Sequence, residues 1–243
     1  MEASTCATCH RPTVACVCDK IVRYPTQRRV LILQHPQEQD AVLGSAQILV
    51  ASLPSAKLVV GLSWRNFAHA LGEEGVDPRR WAVLFPERES EGEGDTAEAK
   101  SGKAEGKSTK AEARSAKGEA RSVVVPSELE GVVVLDGTWS KAKTLWWRNP
   151  WITKLQRLTL KPAQPSIYGS LRAEPRREYV STLESVAAAL TLCGEPKEIE
   201  VGLQRVFRTM VQRVRDAKLI PPPARRPKQR PRAPKPKLPN PGE

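Results

Sequence analysis

Gly131-Val132-Val133-Val134-Leu135 is an unbroken apolar run of strand length, and it stops at Asp136-Gly137-Thr138-Trp139, where the chain turns toward a helix. Leu31-Ile32-Leu33, Leu58-Val59-Val60-Gly61-Leu62 and Trp81-Ala82-Val83-Leu84-Phe85 are further runs of the same kind. Between the first two, the alanine-rich stretch from Ala41-Val42-Leu43 to Leu49-Val50-Ala51 predicts a helix. Strands alternating with helices predict an α/β domain with a mostly parallel sheet and helices packed on its faces.

In open α/β sheets ligands bind at the carboxyl ends of the strands, so Asp136, Thr138 and Trp139 together form a candidate site. The local pattern equally admits Asp136 as the cap of a helix starting near Ser140, with Trp139 in the core. His35-Pro36-Gln37-Glu38 follows the first strand as Asp136 follows a later one, which puts His35 and Glu38 on the same edge, with Pro36 stiffening the turn. A helix start with Glu38 in its first turn is the alternative. Ser63-Trp64 and Pro86 also fall on this edge.

Cys6-x-x-Cys9, six residues, then Cys16-x-Cys18 supplies four thiolates within thirteen positions. That set predicts a closed structural zinc site, with His10 able to replace one sulfur, and a metal module over residues 1–19 that presents Lys20 and Arg23 to a phosphate chain. Cys193 reads as an ordinary buried thiol.

A net charge of +12 favours a polyanionic partner, nucleic acid before an anionic membrane surface. Residues 221–243 hold seven of the Lys and Arg residues in a proline-rich stretch, expected to be a disordered basic tail. Residues 87–122 are Glu, Lys, Gly, Ala and Ser with scarcely any aliphatic residue, and are expected to be a disordered insertion. No apolar stretch approaches the roughly 20 residues of a membrane span, and no signal- or transit-peptide pattern precedes Cys6, so an intracellular protein, cytoplasmic or nuclear, is expected.

In the second half, Ser140 to Trp151 predicts a helix broken by Pro150. Ser181-Thr182-Leu183-Glu184 has capping-box spacing and opens a helix through Leu192 that Gly194 and Pro196 stop. Leu203, Val206, Phe207, Met210, Val211 and Val214 recur at helical spacing, leaving Arg205, Arg208, Gln212, Arg213 and Arg215 on other faces. The loop from Tyr168 to Glu178 carries Arg172 and Arg177, suited to clamping phosphate or carboxylate, or else to a solvated turn. The cluster Trp146-Trp147-x-x-x-Trp151, mixed with Lys141, Lys143 and Arg148, admits base stacking or burial in the core.

Taken together these pieces resemble the DTW-domain family. The resemblance rests on Asp136-x-Thr138-Trp139, the N-terminal cysteines, His35-Pro36-x-Glu38, Ser140-Lys141-Ala142-Lys143 and Ser181-Thr182-x-Glu184, in the family's order. It covers the chain apart from the insertion and the tail, and departs from the family pattern at Asp40 to Ala46. It implies a SPOUT-like, knotted α/β fold over residues 20–220 that binds S-adenosylmethionine. It also implies transfer of the 3-amino-3-carboxypropyl group to N3 of a tRNA uridine, with release of 5′-methylthioadenosine. Asp136, Thr138 and Trp139 would then be catalytic, Asp136 as general base or as a positioning group. His35, Glu38, Arg172, Ser181 and Glu184 would bind S-adenosylmethionine, with Arg172 on the carboxylate of the transferred group and Glu38 or Glu184 on its amine. Trp139 or Trp64 would stack on an unpaired uridine. Two other readings remain open: from the residues, a zinc-stabilised RNA-binding protein without catalysis, and from the SPOUT-like architecture that the resemblance implies, an RNA methyltransferase.

Overall fold

The computed structural model describes residues 4–86, 125–162, 164–172 and 180–221. The expected insertion at 87–122, the tail from 222 onward and Arg177 lie outside the described residues. Five strands form one sheet: β1 (Arg29–Gln34), β2 (Ala56–Val60), β3 (Trp81–Pro86), β4 (Gly131–Asp136) and β5 (Gln156–Leu160), in the order β2-β1-β4-β3-β5. All neighbouring pairs are parallel, so the carboxyl ends of the strands share one edge. The helices are α1 (Ala46–Ser52), α2 (Phe67–Leu71), α3 (Trp139–Arg148), α4 (Thr182–Leu192) and α5 (Lys197–Asp216).

Alternation along each strand sorts the side chains into two cores. Val30, Ile32, Ala82, Val132, Val134, Leu158 and Leu160 face the layer of α1, α4 and α5. Leu31, Leu33, Val83 and Val133 face the opposite layer, with Phe67 of α2, Trp81, Trp151 and Ile152. Both faces are covered, which is why β1 and β4 read as continuous apolar runs. The last helix, α5, buries Leu203, Val206, Phe207, Met210, Val211 and Val214 as its periodicity predicts, and each such side chain contributes about 1.5–3 kcal/mol. Arg205, Arg208, Gln212 and Arg215 are exposed on its outer side.

The helix expected over Ala41 to Ala51 begins only at Ala46. Residues 41–45 form a turn closed by Gly44 N–H donating to Ala41 O at 2.7 Å. A side chain at Gly44 would come within 2.9 Å of that same carbonyl oxygen. The turn has other partners: Tyr168 Oη donates to Leu43 O at 2.6 Å, and Leu183 N–H donates to Ser45 Oγ at 3.3 Å. Tertiary bonding outweighs the local helical preference there. Two elements went unanticipated. In β5 only Leu158 and Leu160 are buried, so its apolar signal is half that of a central strand. The five-residue α2 is defined by its ends: Asn66 Oδ1 accepts from His69 N–H at 2.7 Å, and Gly72 closes it in the left-handed conformation at φ 72°.

Trp81 fixes the β3/β4 register at its first rung. Its ring lies edge-on to Phe67 at 5.1 Å, under the Arg29 guanidinium, and against Gly131, its partner in the adjacent strand. A Cβ at Gly131 would approach the Trp81 ring to 2.6 Å and Arg29 O to 2.7 Å. Backbone on one side and a packed indole on the other leave nothing that can yield cheaply. Gly131→Ala is therefore expected to cost about 1–3 kcal/mol, read as a lower denaturant midpoint, while an unchanged midpoint would show that Trp81 can move aside.

Candidate active site and metal centre

Gln34 and Asp136 end β1 and β4 and are register partners. Strand alternation puts both on the side of the sheet facing α4, and the amino end of that helix comes down on them. Gln34 Nε2 donates to Asp136 Oδ2 at 2.7 Å, and Thr182 Oγ1 donates to Oδ1 at 2.5 Å. Asp136 is only 6% exposed. Burial raises its pKa above the usual carboxylate range, and the nearby negative charge of Glu38 adds to the rise. The two hydrogen bonds and the positive charge of Arg172 oppose it. Gln34 Oε1 is buried without a partner. Turning that amide over would offer Oε1 to a protonated Asp136, so the pair can accommodate both states of the carboxyl.

This geometry replaces the capping alternative. The residue at the cap of α3 is Thr138, whose Oγ1 lies 3.3 Å from Ser140 Oγ, while the Asp136 carboxylate turns to Gln34 and Thr182. Trp139 is 45% exposed at the first position of α3, so it is no core residue. Gly137 lets the chain turn tightly: a Cβ there would come within 2.9 Å of Lys141 Cβ and 3.6 Å of His35 Cβ.

The turn after β1 stands beside this group. His35 N–H donates to Asp136 O at 3.0 Å, and His35 Nδ1 accepts from Gln37 N–H at 3.2 Å. Glu38 is buried and ion-pairs with Lys141 of α3, Nζ to Oε1 2.7 Å. Both earlier readings of His35-Pro36-x-Glu38 thus hold at once, because a 3₁₀ turn does start at Pro36 and still delivers Glu38 to the edge. Ser181 and Glu184 complete a capping box on α4: Ser181 Oγ accepts from Glu184 N–H at 3.1 Å, and Glu184 Oε2 accepts from Ser181 N–H at 2.9 Å. Ser166 Oγ and Ile167 N–H also donate to Glu184, at 2.8 and 2.9 Å. Its carboxylate is occupied in tying the 166–168 loop to α4. Arg172 projects over the Tyr168 ring at 5.4 Å. Sequence reasoning missed Gln34 and Thr182, whose side chains donate to the Asp136 carboxylate. The available signal was parity with Val30 and Ile32 for Gln34, and membership of the Ser-Thr-x-Glu motif for Thr182.

The three tryptophans near α3 part company. Trp151 is buried and its Nε1 donates to Trp64 O at 3.0 Å, Trp146 lies beneath the Arg157 guanidinium, and Trp147 stands in solvent. Trp64 is tied through its backbone N–H to Asn149 Oδ1 at 2.8 Å.

At the other end, Cys6, Cys9, Cys16 and Cys18 bring their sulfurs within 4.8 Å of one another, a group that could hold a metal ion. The Cys6–Cys18 and Cys9–Cys16 separations are 3.8 and 3.7 Å. Four sulfurs about 2.3 Å from a central ion in tetrahedral array stand about 3.8 Å apart, so the cage has zinc dimensions. Backbone N–H groups of Cys9 and Thr8 hold the Cys6 thiol down to about 6, whereas burial and the crowding of sulfur push Cys18 up. His10, in the left-handed region at φ 55°, forms the turn between ligands and is not one of the group. Arg213 of α5 donates to Cys16 O and, through Nη1 and Nη2, to Asp19 at 2.8 and 2.9 Å. The buried Arg11 donates to Gly44 O. Lys20 and Arg23 are exposed, and Lys20 lies 3.5 Å from Asp19. Cys193 is a buried thiol whose pKa burial raises. Among the described residues no helix is long and apolar enough to cross a membrane.

Residues 3–215 match the family model described as the DTW domain. A curated relative from Macaca fascicularis, named tRNA-uridine aminocarboxypropyltransferase 2, is 28% identical over 207 residues, 84% of this chain and 61% of its own length. Relatives of the same name from Mus musculus and Drosophila melanogaster are each 27% identical over 210 residues, 84% of this chain and respectively 61% and 72% of their own lengths. The chain thus spans about three fifths of the first two relatives. No solved structure matches it.

Elemental analysis of the purified chain is expected to find one divalent ion per molecule, lost in Cys9→Ser. Its removal should lower the melting temperature by on the order of 10 °C, the shift that roughly 3–5 kcal/mol produces in a domain of this size. An ion-free protein with an unchanged melting curve would contradict this.

Proposed function

Because the chain belongs to the DTW-domain family, we propose that it is a tRNA-uridine aminocarboxypropyltransferase acting at the Asp136 edge of the sheet. The observation that carries the proposal is a buried carboxylate, held by Gln34 and Thr182 at a strand's carboxyl end, inside the Asp136-x-Thr138-Trp139 motif. The names of the relatives supply the reaction.

In this reading uracil N3 attacks the γ-carbon of the aminocarboxypropyl group of S-adenosylmethionine. The N3–C bond forms, the C–S bond breaks with its electron pair passing to sulfur, and 5′-methylthioadenosine leaves. The N3 proton goes to Asp136. A carboxylate with a raised pKa is a better match to a weakly acidic imide than an ordinary exposed aspartate, and this favours general base over mere positioning. Gln34 and Thr182 fix the carboxylate and Thr138 sets the start of α3. Trp139 offers an indole face to an unpaired uridine.

The side chains around Asp136 suit the co-substrate's amino acid end: Arg172 supplies a cation for its carboxylate, and Glu38 an anion for its amine. Lys141 holds Glu38 in place until that amine competes for it. His35 and Ser181 are assigned to the co-substrate site by their places beside Asp136 and Thr182, and Glu184 acts at one remove, since its oxygens accept three hydrogen bonds from the chain itself. A SPOUT-like, knotted architecture is part of the proposal, supported by the all-parallel sheet with helices on both faces. Residues 1–19 would be a zinc-stabilised module, residues 20–220 the transferase domain, and residues 221–243 a basic tail for RNA. A tRNA substrate implies an intracellular site of action.

Unmodified tRNA incubated with the protein and S-adenosylmethionine should yield, by nucleoside mass spectrometry, a uridine heavier by one aminocarboxypropyl group. Asp136→Asn should lower the rate by about 10²–10⁴-fold. A methyl-sized gain would redirect the reading to methylation, and tRNA binding without any mass change to a non-catalytic binder.

The Thr182 bond stabilises the ionised form of Asp136, so deleting it raises the carboxyl pKa further. If Asp136 is the base, activity rises with pH through that pKa. The acid limb of the kcat/KM profile should then move to higher pH in Thr182→Val, with about a tenfold loss at neutral pH, and stay in place in Thr182→Ser. A Thr182→Val limb that does not move would make Asp136 a positioning group.

A further inference from the structure

α3 starts beside Asp136 and carries large exposed side chains along its outer face. Trp147 is 71% exposed, more than the other large apolar side chains at the described surface, and Trp139 is 45% exposed. The two are eight positions apart, and Lys143, also exposed, lies midway. At four-residue spacing the three side chains follow one stripe of the helix, about 12 Å long at 1.5 Å per residue. Leu145 and Asn149, on the opposite side, are buried and hold the helix down; Asn149 Nδ2 donates to Leu145 O at 2.8 Å and to Leu62 O at 3.0 Å. The stripe is therefore rigidly presented and begins three residues from Asp136.

From this we infer that Trp139, Lys143 and Trp147 form a track for single-stranded RNA that leads from the reacting uridine along α3. The inference rests on the RNA-directed reading above and extends it to a binding surface. Each indole offers a π-face on which a base stacks without regard to sequence, and the ammonium between them answers the phosphate that joins successive bases. Charge selects the occupant. A cation at the centre of an aromatic stripe is unfavourable in the core of a protein interface, where lysine is depleted, and favourable against a polyanion. The chain's net charge of +12 points the same way. Trp139 positions the target base, and Trp147 captures a neighbouring nucleotide.

The test is binding of a labelled, uridine-containing single-stranded RNA oligonucleotide, measured by fluorescence anisotropy across a salt series. Trp147→Ala is expected to weaken binding about 5- to 100-fold, Trp147→Tyr to restore most of it, and Lys143→Gln to reduce the slope of log affinity against log salt by about one. In the transfer assay, Trp147→Ala should raise the KM for tRNA while kcat and the KM for S-adenosylmethionine stay as in the unmutated protein. Trp147→Ala that binds within twofold of the unmutated protein, or that instead dissociates a dimer, overturns the track. Trp147-dependent binding with no transfer by the unmutated protein overturns the transferase reading alone, and normal transfer with Trp147-independent binding overturns the track alone.

Discussion

A carboxylate sealed under the amino end of a helix is costly unless something holds it, and the site is organised around meeting that cost at Asp136. Burial penalises its charge, and Gln34 from β1 and Thr182 from α4 each return one hydrogen bond to it. This requires β1 and β4 to lie side by side in parallel with Gln34 opposite Asp136, which the sheet order provides by inserting β4 between β1 and β3. It also requires α4 to start at Ser181, and the capping box makes that start sharp. The three elements are remote in sequence, so the site exists only once the sheet and α4 are assembled.

The same dependence decides what could be read in advance. β1, β3 and β4 are covered on both faces and announced themselves as unbroken apolar runs, while α5 announced itself by an amphipathic period along twenty residues. The cysteine cage was legible because metal ligation depends on local spacing. β5 shows two buried leucines among polar residues, and α2 is a single turn whose caps carry its identity, so neither exceeds the background of short patterns. At the candidate site, Asp136, His35 and Glu38 were legible because they stand at or just beyond the ends of apolar strands. Gln34 and Thr182 were not, because a partner is defined by register and helix docking, which no local pattern records. Glu184 carried two signals, cap and charge, and the cap accounts for its geometry.

The cysteine cage bears on the candidate site through the backbone around it. Arg11, one residue beyond the turn at His10, donates to Gly44 O in the segment that failed to become helix. Leu43 O in that same segment accepts from Tyr168, and Ser45 accepts from Leu183 at the start of α4. On the far side Arg213 grips Cys16 and Asp19 from α5. The cysteine cage, the 41–45 turn and the first turn of α4 therefore share one chain of contacts that ends one residue from Thr182. A closed metal site with four protein ligands would have no position for substrate, so an effect of the cage on the Asp136 edge would run through this path. The buried Arg11 also leaves Nε and Nη1 without a hydrogen-bond partner.

Stability and function pull in opposite directions on the two outer features of α3. An indole at Trp147 in water forgoes the burial that gives Trp81 and Trp151 their place in the core, and a carboxylate at Asp136 in the interior forgoes the hydration an exposed aspartate keeps. Each residue sits in the environment its own chemistry resists, and they lie at the two ends of one short segment, Asp136 where β4 ends and Trp147 near the end of α3. A fold optimised for stability alone would exchange the two. That a single strand and helix carry both is the physical reason for proposing the reaction at one end of this segment and a grip on RNA along the rest.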